Sequence, residues 1–134
     1  MSTLLGIDLQ SIDEVEASID AFGERYTRRV FTAREIADCA DSLNHAQQFA
    51  LRFAAKEAVM KVLGLRDGRP PWTTIEVCDT PLGEASVSLS GVAAESARLS
   101  RIETIHLSLS HNGAFAIATV IADTVPSTDG VSSE

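Results

Sequence analysis

The sequence predicts an α+β fold in which a long central helix packs on a mostly antiparallel sheet. Three observations predict it. Between Asn44 and Gly64 runs a helix-length segment that is apolar on nearly every side, as a helix buried in a core or an interface is. Ile105 to His111 and Ala114 to Ile121 alternate apolar and polar residues on either side of Asn112-Gly113, the pattern of a hairpin with a two-residue turn. Leu4 to Leu9 is a short apolar run of strand length.

Each remaining element has its own signal. Ser11 and Glu14 have the spacing of a capping box that opens a helix through about Ala21. Basic residues then cluster at Arg25, Arg28 and Arg29. Thr32 and Glu35 repeat the capping-box spacing and open a helix to about Ala40. Asn44 is a candidate N-cap for the central helix. Arg66 to Pro71 reads as a loop. Strand candidates Thr73 to Cys78 and Ala85 to Leu89 flank a turn marked by Pro81 and Gly83, and a helix of about ten residues follows Gly91. From Asp123 the chain is polar and helix-poor. The organisation expected is one domain over residues 1–122 and a disordered polar tail over 123–134.

Composition bounds the function. A chain of 134 residues suits one domain with a sizeable core. No apolar run approaches the ~20 residues of a membrane span. Met1 to Gly6 has no basic start and no signal-peptide shape, so a cytoplasmic protein with no membrane association is expected. The net charge of −8 argues against nucleic acid as a general partner. Cys39 and Cys78 lack metal-site spacing and are expected as free thiols. There is no Walker-type loop, no Gly-x-Gly-x-x-Gly and no Ser-His-Asp or Cys-His nucleophile set.

Chemistry is carried by charges where charges do not belong. The apolar central helix contains Arg52, Lys56, Glu57 and Lys61, and ionised groups rarely go inside unless paired or holding a ligand. Glu57 and Lys61 are one turn apart and share a face with the small residues Ala50 and Ala54, which leaves room for a charged group to dock. A helix-surface salt bridge is the plainer reading of the same pair. Asp8 interrupts an apolar strand two residues after Gly6; it either caps the next turn or, with Glu57, makes the two-carboxylate set typical of a magnesium site that also binds phosphates. His111, preceded by Ser110, sits at a strand end beside the hairpin turn, a rim position where ligands are met. His106 and Ser108 alternate along one face and read as sheet-surface residues, His45 as a solvated residue at a helix start, and Trp72 as a core anchor.

Assembled, these residues resemble a known family. Gly6-Ile7-Asp8, Phe31-Thr32 with Glu35, Arg52-Phe53-Ala54-Ala55-Lys56-Glu57-Ala58 with Lys61, and Leu107-Ser108-Leu109-Ser110-His111 are similar to the successive motifs of holo-acyl-carrier-protein synthases, the small bacterial members of the 4′-phosphopantetheinyl transferase superfamily. The resemblance spans about residues 4 to 122 and implies a small α+β transferase-like fold. It implies a magnesium-dependent transfer of phosphopantetheine from coenzyme A, the substrate, to a serine of an apo acyl carrier protein, with release of adenosine 3′,5′-bisphosphate. Asp8 and Glu57 match the family's magnesium ligands. Lys61 matches the lysine near the diphosphate and leaving group, and Glu57 is a candidate for the serine's proton. Arg52 and His111, with Ser110 beside it, match positions that meet coenzyme A. Arg25 and Arg29 fall where relatives dock the carrier. A homotrimer is the assembly implied, and Ala114, Ala116 and Ala118 would let another element approach the last strand closely.

Three departures stand out against that family. Gly64-Leu65-Arg66 replaces the usual Gly-Thr-Gly after the central helix. The first helix carries Asp13, Glu14, Glu16 and Asp20 where relatives tend to be basic, Glu14 standing where an arginine is common. The polar tail is longer than in many relatives. An unusual carrier, as in a polyketide or specialised fatty-acid pathway, would fit these changes. Two alternatives to the transferase remain open at this point: a non-catalytic module that binds coenzyme A or a carrier, and a metal-dependent hydrolase of diphosphates.

Overall fold

The computed structural model describes residues 2–64, 68–79 and 83–126. A three-stranded antiparallel sheet has the order β1-β5-β4, and a two-stranded antiparallel ribbon pairs β2 with β3. The strands are β1 (Ser2–Ser11), β2 (Ile75–Asp79), β3 (Ala85–Leu89), β4 (Ile102–His111) and β5 (Phe115–Thr124). The helices are α1 (Ile12–Phe22), α2 (Glu24–Val30), α3 (Ala33–Ala40), α4 (His45–Val62) and α5 (Gly91–Leu99), and a single 3-10 turn covers Trp72–Thr74. This is the expected α+β architecture with α4 as its spine.

The sheet and α4 meet through small residues. Ala116, Ala118, Val120 and Ala122 alternate along β5 and are fully buried, as are Ala50, Ala54 and Ala58 of α4. At Gly6 the approach is closest: a Cβ there would lie 2.4 Å from the carbonyl oxygen of Ala58. The alanine face of β5, expected to admit another element, is therefore filled by the chain's own α4. The same contact corrects the reading of Ala50 and Ala54, whose small side chains make room for the sheet and not for a ligand. Twelve of the residues of α4 are buried, Arg52, Lys56 and Glu57 among them, which is why its sequence is apolar all round.

The other face of the sheet is apolar and uncovered. Leu5, Ile7 and Leu9 point outward from β1 at 62%, 54% and 53% exposure, opposite Ile121, Thr119 and Ile117 of β5. Ser110, Ser108 and His106 of β4 continue the same rows. His111 alternates onto the inner side with Leu109, so Ser110 and His111 face opposite ways.

Local signals decided several boundaries. Thr32 and Glu35 form a complete capping box at α3, whereas Ser11 provides only the half in which its Oγ accepts from the Glu14 N–H. Asn44 is the N-cap of α4 but makes no side-chain cap bond. α1 ends at Gly23, whose φ of +54° turns the chain directly into α2, a helix the basic cluster did not announce. The β2 strand begins at Ile75, after the 3-10 turn. In the hairpin, His111 pairs with Ala116, not Ala114. Asn112 stands before the turn, its Oδ1 accepting from the N–H groups of Ala114 and Phe115 at 2.9 and 2.8 Å, so the two-residue turn is Gly113-Ala114. β5 runs through Thr124, so Asp123 and Thr124, assigned to the tail, complete the sheet against Thr3 and Ser2. Pro81, Arg66 and residues 127–134 lie outside the described residues.

Candidate functional site

Where β1 crosses α4, two carboxylates each hold a cation. Asp8 follows Gly6 on the inner face of β1. Its Oδ1 accepts from Lys61 Nζ at 3.2 Å and its Oδ2 from Gln10 Nε2 at 2.6 Å. Lys61 Nζ also donates to the Ile7 carbonyl at 2.6 Å. One turn earlier on α4, Glu57 accepts from Arg69 through both oxygens, at 2.6 and 3.3 Å, and from Trp72 Nε1 at 3.3 Å. The carboxylate side chains are 13% and 11% exposed, while Lys61 and Arg69 are 50% and 52% exposed. The acids lie at the bottom of the site and the cations cover them from the solvent side. The structure thus joins Asp8 to Lys61, with Glu57 one helical turn before Lys61 on α4.

Behind this layer lies a buried ion pair. Lys56, fully buried, lies 2.6 Å from Glu35 and donates to the carbonyls of Trp72, at 3.0 Å, and Ile75. Burial pulls the Lys56 ammonium below its ordinary range, against the attraction of Glu35. Glu35 in turn accepts from the Val77 N–H at 2.9 Å and closes the capping box at Thr32. Thr32 Oγ1 donates to Glu76, and that bond holds the Glu76 carboxyl below its usual value. Lys56 was visible in the sequence as a buried charge, but its role is here: it anchors the turn that delivers the Trp72 indole to Glu57.

Arg52 lies elsewhere. Nine residues before Lys61, it points to the opposite side of α4, about 180° away at 100° per residue. Its Nη1 donates to Gln48 Oε1 at 2.9 Å, its Nη2 lies 3.9 Å from Asp79, and its buried Nε has no partner among the described residues. It borders a cleft of about 580 Å³ that also takes in Asp79, Ser86, His106 and Ser108. His111, at the end of β4, meets the first turn of the same helix, its Nε2 3.2 Å from Gln47 Nε2. Within one chain, then, Arg52 and His111 do not meet Asp8, Glu57 and Lys61.

On α2, Arg25 and Arg29 are exposed and border a cleft of about 480 Å³ with Phe22 and Tyr26. Arg25 stacks over the Phe22 ring at 5.6 Å. Arg29 also lines a second cleft of about 300 Å³ with Arg69, Pro70, Pro71 and Trp72, so the basic helix adjoins the Glu57 layer. Arg69 itself escaped sequence reasoning, because nothing local marks a loop arginine as the partner of a glutamate twelve residues away.

A divalent cation fits the two carboxylates. Among the described residues no group of three or more His, Cys, Asp and Glu side chains could hold a metal. Two hard oxygen donors beside exposed cations are nevertheless what magnesium takes when phosphate oxygens and water complete its shell. No helix among the described residues is long and apolar enough to cross a membrane.

Comparison with known proteins gives this arrangement a family. The sequence model of the 4′-phosphopantetheinyl transferase superfamily matches residues 4–120. The chain is similar to the holo-[acyl-carrier-protein] synthase of Solibacter usitatus, with 37% identity over 120 residues, 88% of this chain and 95% of that one. Among solved structures it resembles the Helicobacter pylori holo-[acyl-carrier-protein] synthase in complex with coenzyme A, with a TM-score of 0.76 and 28% identity over 90% of this chain and 100% of that one. It also resembles the Chronobacterium ammoniagenes ACPS–CoA complex, with a TM-score of 0.80 and 26% identity over 94% of this chain and 100% of that one. With the carboxylates and lysine of its motifs gathered at one crossing, the chain belongs to the 4′-phosphopantetheinyl transferase superfamily and is an enzyme of that transferase class.

Proposed function

We propose that this enzyme transfers the 4′-phosphopantetheine group of coenzyme A to a serine of an apo acyl carrier protein, with magnesium, releasing adenosine 3′,5′-bisphosphate. The observation that carries the reading is the placement of Asp8, Glu57 and Lys61 at the β1–α4 crossing, in a chain whose relatives bear that synthase name. The reaction forms a bond from the serine Oγ to phosphorus and breaks the bond from phosphorus to the bridging diphosphate oxygen. Magnesium, when bound by Asp8 and Glu57, would neutralise charge on the diphosphate. The Lys61 ammonium, half-exposed beside Asp8, is suited to stabilise charge growing on the leaving oxygen. Glu57 is the carboxylate suited to accept the serine's proton.

Arg52 and His111 bind the nucleotide end of coenzyme A in this reading, and Ser110 lines the outer sheet face. Because Arg52 and Lys61 point to opposite sides of α4, one coenzyme A meets both only if two chains contribute. The uncovered stripe of Leu5, Ile7, Leu9 and Ile121 is the surface such an assembly would bury, which supports the homotrimer. Arg25 and Arg29, flanking exposed Phe22 and adjoining the Glu57 layer, suit an acidic, amphipathic carrier surface. The acidic residues of α1, Asp13, Glu14, Glu16 and Asp20, favour a carrier outside the ordinary fatty-acid set. Two buried, free cysteines agree with a reducing cytoplasm.

The test is incubation with coenzyme A, magnesium and a panel of apo carriers, read by mass. A carrier gaining one phosphopantetheine supports the transferase. Bisphosphate without a mass gain identifies a hydrolase, and neither product identifies a binding module.

A further inference from the structure

Arg69 is a charged residue paired with Glu57 that the reaction above does not use. It makes a bidentate ion pair with a carboxylate that is almost buried, and it does so from the solvent side. A buried carboxylate without a counter-charge is costly. A divalent cation on Asp8 and Glu57 would make Arg69 unnecessary and, being positive, would repel it. Pro70 and Pro71 follow Arg69 directly and hold the backbone, so displacement falls to the side chain. Its destination is at hand: the guanidinium already borders the cleft of about 300 Å³ shared with Arg29.

We propose that Arg69 is a displaceable counter-ion for Glu57, competing with the divalent cation and moving into the Arg29 cleft when the cation binds. This rests on the reading of Asp8 and Glu57 as the cation's ligands. The exchange has a consequence for the partner side. Cation loading frees a second arginine next to Arg29, so the cleft becomes more attractive to an anionic partner in the loaded enzyme than in the empty one. By linkage, an anion held in that cleft strengthens cation binding in return.

The chain's single tryptophan reports on the exchange, because Trp72 Nε1 shares a Glu57 oxygen with Arg69. The experiment titrates Mn2+ into the full-length wild type and the Arg69→Gln, Arg69→Lys and Asp8→Ala variants. Bound Mn2+ is read by electron paramagnetic resonance and the indole by its emission. Arg69→Gln should bind Mn2+ roughly two- to fivefold more tightly than wild type, the range expected for losing a partly exposed ion pair that competes. Arg69→Lys, which keeps the competing charge, should stay close to wild type. Equal or weaker binding by Arg69→Gln, with binding abolished in Asp8→Ala, overturns the counter-ion proposal and leaves the cation site standing. Absence of stoichiometric binding in wild type and Arg69→Gln alike overturns both.

Discussion

Gly6 lies so close to Ala58 that the strand and helix leave no space for a methyl group between them, a Cβ meeting the Ala58 carbonyl oxygen at 2.4 Å. Asp8 is two residues further along the same face, so the closeness of this crossing sets how far Lys61 must reach. Gly6→Ala is expected to push β1 off α4, costing about 1–3 kcal/mol of stability and lowering turnover through the Asp8–Lys61 geometry. Gly113→Ala is the control, since a Cβ there meets nothing within 4 Å. Thermal melts and steady-state kinetics of both variants check the contrast.

Asp8→Ala and Glu57→Ala should each lower transfer on the order of a hundredfold or more, with the fold retained by circular dichroism. Lys61→Ala should depress kcat more than it raises KM for coenzyme A, because its ammonium acts on the leaving group. A raised KM with intact kcat would make Lys61 a phosphate anchor instead.

Reversing Arg25 and Arg29 to Glu together should raise KM for the carrier on the order of tenfold and leave that for coenzyme A nearly unchanged. An enzyme with a net charge of −8 needs a local basic surface to meet an acidic protein. Added salt should weaken the wild-type carrier interaction as well.

Lys56→Met strands Glu35 in the core and should cost about 3–5 kcal/mol. Adding Glu35→Gln removes the stranded charge while keeping an acceptor for the Thr32 N–H, so the double variant should recover part of the loss. Denaturant titrations of both singles and the double measure the coupling.

Alkaline pH should destabilise the fold. Burial pushes the Cys39 thiol up to about 11 from 9.0 and the Tyr26 phenol up to about 12 from 10.0. Both groups hold their protons more tightly when folded. Their contribution is fully present below pH 9 and is lost as pH rises through 9 to 12. The melting temperature should fall toward the upper end of that window, where Lys56, pulled below its ordinary range and acting in the opposite direction at lower pH, no longer offsets it. At pH 8 native Cys39 is thiolate at only about one part in a thousand, so a thiol reagent should label it far more slowly than in the unfolded chain.

Some of this was legible in the sequence because the signal is local. Thr32 and Glu35 announce a capping box, and the box forms. The all-round apolar pattern of α4 announces burial, and α4 is buried. α2 was not legible, because seven residues held by the burial of Thr27 and Val30 carry little pattern of their own. The hairpin was recognised but its register was not: the Asn112 side chain bonds past the expected turn and shifts the pairing. Asp8, Glu57 and Lys61 stood out as misplaced charges, whereas the Arg69 and Trp72 contacts to Glu57 cross a loop whose geometry no spacing rule predicts. The small face of β5 was read correctly as an approach surface, but only packing could say that the approaching element was α4.

β5 is the central strand of its sheet and, among the described residues, the last strand in chain order, and it pairs Ser2 with Thr124. A chain emerging from the ribosome therefore makes α4 long before the strand that covers it. Until residues 115–124 are free, β1 and β4 lack their partner strand in the sheet, and part of the alanine face of α4 is open to whatever else is in reach. Pairing across so long a separation favours slow closure of the sheet. Nascent chains stalled short of β5 should accordingly be held by general chaperones and be quickly degraded on release.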